Sequence, residues 1–294
     1  MTLSSHTRLF VTGATGQLGR LVIQDLLRTV PAAQVIAGVR DAGSEGAREL
    51  AEFGVEVRTA DYAQPGTLAT AFEGIDRLLL ISSSEVGQRA VQHRNVITAA
   101  KAAGVRLIAY TSLLRADTSP LALAEEHRAT EAMLAASGVP YVLLRNGWYT
   151  ENYAASIPPA LAHGVFLGSA GEGRIASAAR ADYAAAASTV MTADADQGGR
   201  IYELAGDESY TLSSFVKIVS QASGKPVAYQ NLPETEFKRA LIGAGLPEGF
   251  AGLLANSDAA AAKGALFDDS RQLSKLIGRP TTSTMSVIEA SLKN

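Results

Sequence analysis

Near the start of the chain, Leu9-Phe-Val-Thr-Gly13-Ala-Thr-Gly16-Gln-Leu-Gly19 sets a short apolar run directly against three glycines, with an amphipathic stretch following. That order reads as a strand, a tight turn and the first turn of a helix. Gly13 permits the turn, Gly16 lets backbone approach a diphosphate, and Gly19 lets the helix pack closely on the strand. The unpaired N–H groups at the helix start face the anion. Leu18, Leu21, Val22 and Leu26 recur at three- and four-residue spacing and form one face of that helix. The segment therefore predicts a dinucleotide-binding βαβ unit, with Gly13, Thr15, Gly16, Gln17, Leu18 and Gly19 as the cofactor-binding residues.

About twenty residues further on, where such a unit places the adenosine ribose, Gln34–Val39 reads as a second strand ending in Arg40-Asp41. A carboxylate there accepts hydrogen bonds from a free 2′-hydroxyl, whereas a guanidinium suits a 2′-phosphate. Arg40 points to NADP(H). The residues leave open that Arg40 is a solvated loop cation and Asp41 does the recognition.

Apolar runs alternate with helix-period segments through the first half, the pattern of an α/β fold with a doubly wound, Rossmann-like parallel sheet. The expected strands are Leu9–Thr12, Gln34–Val39, Val55–Thr59, Arg77–Ile81, Arg106–Thr111 and Pro140–Arg145, with a seventh at Arg200–Leu204 after an Ala-rich helix opened by Arg180-Ala-Asp-Tyr183. Gly104 and Gly138 stand where left-handed residues end helices. From Gly206 onward helices dominate: Leu212–Ala222, Glu234–Gly243, Gly249–Ala262 and Ser283–Leu292, with one strand at Val227–Gln230. The expected division is an NADP-binding domain over residues 1–147 and 176–205, and a smaller, mainly helical substrate lobe over residues 148–175 and 206–294.

Ligands of open α/β sheets lie beyond the carboxyl ends of the strands. Asp61 after the third strand either reaches the adenine amino group or is a turn residue. Ser82, Ser83 and Ser84 after the fourth either pack against the nicotinamide ribose or form a polar loop. Thr111 and Ser112 end the fifth strand. Arg145, Asn146 and Gly147 end the sixth and lead into Trp148 and Tyr149, which either flank a flat substrate with Asn152 or form a hydrophobic seam.

The 294 residues carry a net charge of -3 and no basic run, which argues against nucleic acid as a partner. The stretch Met1 to Arg8 has no apolar leader and no run is long enough to span a bilayer, so a cytoplasmic protein without membrane attachment is expected. With no cysteine, thiol chemistry is excluded and redox work falls to a bound cofactor. The four histidines lack metal-ligand spacing, so no metal is expected, and the hydrolase and NTPase signatures are absent. A homodimer is one oligomeric expectation.

Gly13-Ala-Thr-Gly16-Gln-Leu-Gly19, Arg40, Ser82–Ser84, Thr111-Ser112 and Arg180-Ala-Asp-Tyr183 together resemble the NmrA-like branch of the atypical short-chain dehydrogenases/reductases. The resemblance runs from about Leu9 to Gly278. The stretches 78–89 and 143–153 look closer still to quinone-reducing members of that branch, and dye-reducing members are similar relatives. It implies NADPH as donor and a small-molecule quinone or similar flat acceptor. Orthodox members carry Tyr-x-x-x-Lys on the helix after the fifth strand, where tyrosine protonates a carbonyl and lysine lowers its pKa. This chain reads His127-Arg-Ala-Thr-Glu131 there. An electron-poor acceptor needs no such acid, which suits direct hydride transfer without flavin, with Ser112, Asn146 and Tyr149 orienting the acceptor or donating hydrogen bonds to developing charge. His127 is either a late proton donor or a helix-surface residue. The branch also contains dinucleotide-binding regulators, and loss of the Tyr/Lys pair fits a redox sensor without turnover equally well. A reductase of phenolic ethers wants a lysine base, which Lys101, on an outer helix surface, does not supply.

Overall fold

The computed structural model describes Ser4 and residues 6–293; Met1–Leu3 and Ser5, part of the stretch read above for a leader, and Asn294 lie outside the described residues. In chain order the elements are β1 (Leu9–Val11), α1 (Gln17–Leu26), β2 (Val35–Val39), α2 (Glu45–Glu52), β3 (Glu56–Thr59), α3 (Pro65–Ala71), β4 (Arg77–Leu80), α4 (Arg89–Ala102), β5 (Leu107–Leu113), α5 (Ala124–Ser137), β6 (Tyr141–Asn146), α6 (Thr150–Ala154), α7 (Ile157–His163) and β7 (Val165–Gly168). They continue as α8 (Arg180–Thr192), β8 (Ile201–Leu204), α9 (Leu212–Ser223), β9 (Ala228–Asn231), α10 (Glu234–Gly243), α11 (Glu248–Ala261), α12 (Gln272–Ile277) and α13 (Thr284–Ser291). Among the described residues no helix is long and apolar enough to cross a membrane.

The main sheet has 7 strands in the order β3-β2-β1-β4-β5-β6-β8, which is a doubly wound, Rossmann-like arrangement. β1 pairs in parallel with both β2 (Leu9 opposite Val35) and β4 (Leu9 opposite Arg77), so the strand order reverses at β1 and a crevice opens beyond its carboxyl end. β1 and β2 are buried throughout, as strands covered on both faces must be. Phe10 and Phe72 meet edge-on at 5.0 Å in a core that includes Ile36, Leu68, Leu78, Val96, Ile108 and Leu134.

Two local readings shift. α1 buries Leu18, Val22, Ile23 and Leu26, with Leu21 only half-buried, because the helix packs against α8 as well as against β1 and β2. β5 runs two residues beyond its expected end, since Ser112 and Leu113 continue the ladder opposite Arg145 and Asn146 of β6. Gly104 and Gly138 do take left-handed backbone, at φ +73° and +77°.

The chain forms two compact units: residues 1–116, 126–146 and 180–202, and residues 117–125, 147–179 and 203–294. In the second, β7 and β9 pair in parallel, Val165 opposite Ala228, with helices around them. Phe215 sits among Tyr153, Phe166 and Tyr210 at centroid distances of 6.0, 5.8 and 5.3 Å. α7 was not legible because Pro158-Pro159 reads as a break; both prolines lie in its first turn, where the missing N–H has no helical partner anyway.

Candidate active site

The glycine turn needs backbone freedom at one position and space at another. Gly13 has φ +57°, and a Cβ on Gly19 would stand 2.4 Å from the Gly13 carbonyl oxygen and 2.8 Å from Ala14 Cα. The first turn of α1 therefore lies almost against the strand end. Its N-cap is Gly16, with no side-chain cap and no acidic residue in the first turn, so the α1 N-terminus carries no anion of its own. Gly13, Thr15, Gly16 and Gln17 are exposed, while Leu18 and Gly19 are buried. An exposed glycine turn against an uncapped helix N-terminus is suited to receive an anion.

Around it the strand ends are tied together. The Thr12 hydroxyl donates to the Leu79 carbonyl (2.9 Å) and accepts from the Ile81 N–H (3.0 Å); the Tyr62 hydroxyl reaches both Thr12 and the Ile81 carbonyl. Thr111 Oγ1 accepts from the Ser82 N–H at 2.8 Å. Ser83 donates its N–H to His93 Nε2 (3.0 Å), so His93 carries its proton on Nδ1, which meets Thr130 Oγ1 at 2.9 Å. Burial pushes His93 down to about 3, and the ring stays neutral. Ser84 is exposed. Arg40 is exposed and forms an ion pair with Glu85, Nη1 to Oε1, at 3.1 Å. Asp61 accepts from the Ala63 N–H (2.9 Å) and Gln64 Nε2 (2.8 Å), the bonding of a turn residue.

The helix face where a carbonyl reductase carries its acid and cation is filled differently. His127 is buried rather than on the helix surface, and its Nδ1 lies 2.7 Å from the Tyr110 hydroxyl of β5. Burial and the nearby Arg89 guanidinium hold its pKa well below the ordinary histidine value. Glu131 receives Arg145 through Nε (3.0 Å) and Nη2 (2.7 Å), and the Ser112 hydroxyl donates to it at 2.5 Å. This corrects the expectation that Ser112 donates to a ligand: its proton is directed to a carboxylate, which leaves lone pairs to offer. Asn146, ending β6, is buried, and its Oδ1 has no hydrogen-bond partner among the described residues. Such an amide oxygen asks for a donor from a ligand, since leaving it alone costs about 1–3 kcal/mol.

In the second unit Gly147 donates its N–H to the Leu204 carbonyl at 2.7 Å, and Trp148 is buried. Tyr149 and Asn152 are half-buried. A cavity of about 40 Å³ lies among Trp148, Asn152, Tyr153, Phe237, Leu241 and Asp258, room for a few waters or a methyl-sized group but not for a ring. Asp258 accepts from the Tyr153 hydroxyl and from the Ser169 N–H, each at 2.9 Å. Burial raises it to about 6.

Glu131, Glu85, Tyr110 and Asp258 were not among the expected site residues. Glu131 was visible four places after His127; its partners come from β5 and β6 and are set by strand register, which spacing along one helix does not report. Lys101 is exposed in the last turn of α4, as expected.

A parallel sheet whose order reverses at a glycine-lined strand end, with an uncapped helix N-terminus beside it, defines a Rossmann-like dinucleotide-binding protein. The chain belongs to the NmrA-like family, which matches residues 5–288. It is 61% identical to quinone oxidoreductase 2 of Escherichia coli (strain K12) over 272 residues, 92% of this chain and 94% of that one. The crystal structure of the NADPH-dependent quinone oxidoreductase from Escherichia coli complexed with NADPH superposes with a TM-score of 0.93 at 59% identity, covering 97% of this chain and 100% of that chain. The Citrobacter sp. triphenylmethane reductase complexed with NADP(H) follows at 0.91 and 40% identity, with 96% and 99% covered.

Proposed function

We infer that this protein reduces a quinone directly, without flavin, and that its own residues position the reactants rather than supply a proton. The chain is an NADPH-dependent quinone oxidoreductase. Bound NADPH supplies the hydride from nicotinamide C4. The turn from Gly13 to Gly19 holds the diphosphate, with the α1 N–H groups and macrodipole facing it. Arg40 takes the 2′-phosphate. Ser82, Ser83 and Thr111 shape the nicotinamide side, and Asn146 Oδ1 accepts from the carboxamide or from the reduced acceptor. Trp148, Tyr149 and Asn152 contact the flat acceptor.

One observation carries this reading. Where an alcohol-forming reductase needs a tyrosine acid beside a cationic lysine, His127 is buried and neutral against Tyr110, and Glu131 is consumed by Arg145 and Ser112. A quinone accepts hydride to give a delocalised hydroquinone anion, which solvent can protonate, so positioning and hydrogen bonding suffice. His127 is assigned no proton-donor role.

The test is NADPH oxidation, read by its absorbance, with p-benzoquinone and dialysed, flavin-free protein, after subtraction of the spontaneous reaction. Turnover that flavin does not enhance is expected, and His127→Gln should retain it within about tenfold if the protein folds. Coenzyme binding without turnover favours a sensor; turnover that requires added flavin ends the direct-transfer reading.

A further inference from the structure

Arg40 follows β2 directly and Glu85 lies on the connection from β4 to α4. β2 and β4 are the two neighbours of β1, so the Arg40–Glu85 ion pair crosses the carboxyl end of β1, where the glycine turn begins. Glu85 is aimed there by the segment that carries it. Its Oε2 accepts from Gln92 Nε2 at 2.8 Å, and its N–H donates to Ser83 Oγ at 3.2 Å. Ser83 Oγ donates to Gln92 Oε1 at 2.5 Å, and its carbonyl accepts from Arg89 Nε at 2.8 Å. The Gly87 N–H donates to Glu126 Oε1 at 3.0 Å, and Glu126 in turn pairs with Arg89. Helices α4 and α5 thus fix the base of the segment, and its tip delivers one carboxylate oxygen to the guanidinium.

That guanidinium is the group the proposed function gives to the 2′-phosphate, and the inference rests on that assignment. We propose that Glu85 is a specificity-determining residue that competes with the 2′-phosphate for Arg40, so that binding of the phosphorylated coenzyme exchanges one anion for another and its release is assisted by the returning carboxylate. Side-chain exposures of 76% for Arg40 and 47% for Glu85 make the exchange inexpensive, because a solvated pair of this kind contributes little. A bidentate, doubly charged phosphate out-competes a single carboxylate oxygen. NADH has no anion to exchange and leaves the pair in place.

Calorimetric titration of NADPH and NADH into wild type, Glu85→Gln, Arg40→Gln and the double variant tests this, with stopped-flow release of NADP⁺ as a second readout. Glutamine keeps an oxygen for Gln92. Glu85→Gln should tighten NADPH about two- to fivefold, leave NADH unchanged and slow NADP⁺ release by a similar factor. The effect should shrink in high salt and vanish in the Arg40→Gln background. Equal tightening of both coenzymes, no change for NADPH, or an effect that persists without Arg40 overturns the proposal. If Arg40→Gln weakens NADPH while Glu85→Gln is silent, the phosphate assignment stands and only the competition fails. If Arg40→Gln leaves NADPH binding intact, both fail.

Discussion

At the scale of single residues, backbone geometry and buried charge do different work. Gly19 is required by contact with backbone atoms that have no rotamer to change: a Cβ at 2.4 Å from the Gly13 oxygen forces α1 away from β1. Gly19→Ala should therefore lower the melting temperature by overpacking, at a cost of about 1–3 kcal/mol, and weaken NADPH together with it. Gly16, whose Cβ would stand 3.1 Å from the same oxygen, is the control; its alanine variant should keep most of its thermal stability and lose coenzyme affinity. A Gly19→Ala protein with unchanged melting temperature contradicts the packing argument. The buried Glu131–Arg145 pair, exposed by only 12% and 7%, makes the second case. Glu131→Ala removes a bidentate, charge-assisted partner of a buried guanidinium, and urea denaturation should register a loss of about 1–3 kcal/mol. Both glycines could be read from their spacing alone. The ion pair could not, since nothing in a sequence says that positions 131 and 145 meet.

Elements carry the pH dependence, and α4 and α11 carry it with opposite signs. In α4, His93 titrates near 3 against an ordinary 6.5, so the fold keeps it neutral. Its contribution is complete above pH 6.5 and is lost as the pH falls toward 3; by pH 5 the loss amounts to about 2 kcal/mol. In α11, Asp258 titrates near 6 against an ordinary 3.8, so the fold favours its protonated form. That contribution is complete below about pH 4 and is lost as the pH rises through 6. Tyr153, Tyr210 and Tyr229 surround Asp258 and stay protonated, so none of them reverses the sign. Hydrogen exchange corrected for intrinsic rates should find α4 more protected at pH 7 than at pH 5, and α11 the reverse. Asp258→Asn should remove the trend in α11, and a trend that survives the substitution would assign it to another group. α4 and α11 were both expected as helices from their sequences, yet neither titration was, because each follows from desolvation by neighbouring elements.

For the molecule as a whole, a coenzyme that binds only the folded state stabilises it by mass action. NADPH at a hundredfold excess over its Kd is worth about 2.7 kcal/mol, or roughly 4–8 °C in melting temperature, and NADH at the same concentration should give less if Arg40 reads the 2′-phosphate. Differential scanning fluorimetry with both coenzymes checks this, and equal shifts would remove Arg40 from its role. The βαβ beginning, the parallel sheet, the glycine turn and the cationic residue after the second strand were legible in the chain's own residues, because each depends on local conformational preference and short-range periodicity. Strand order, the register that extends β5, the meeting of Ser112, Glu131 and Arg145, the neutral burial of His127 and the carboxylate reaching across β1 to Arg40 follow from tertiary structure. Each requires residues distant in the chain to share a low-dielectric interior or the mouth of one crevice, and proximity of that kind has no signature along a single strand or helix.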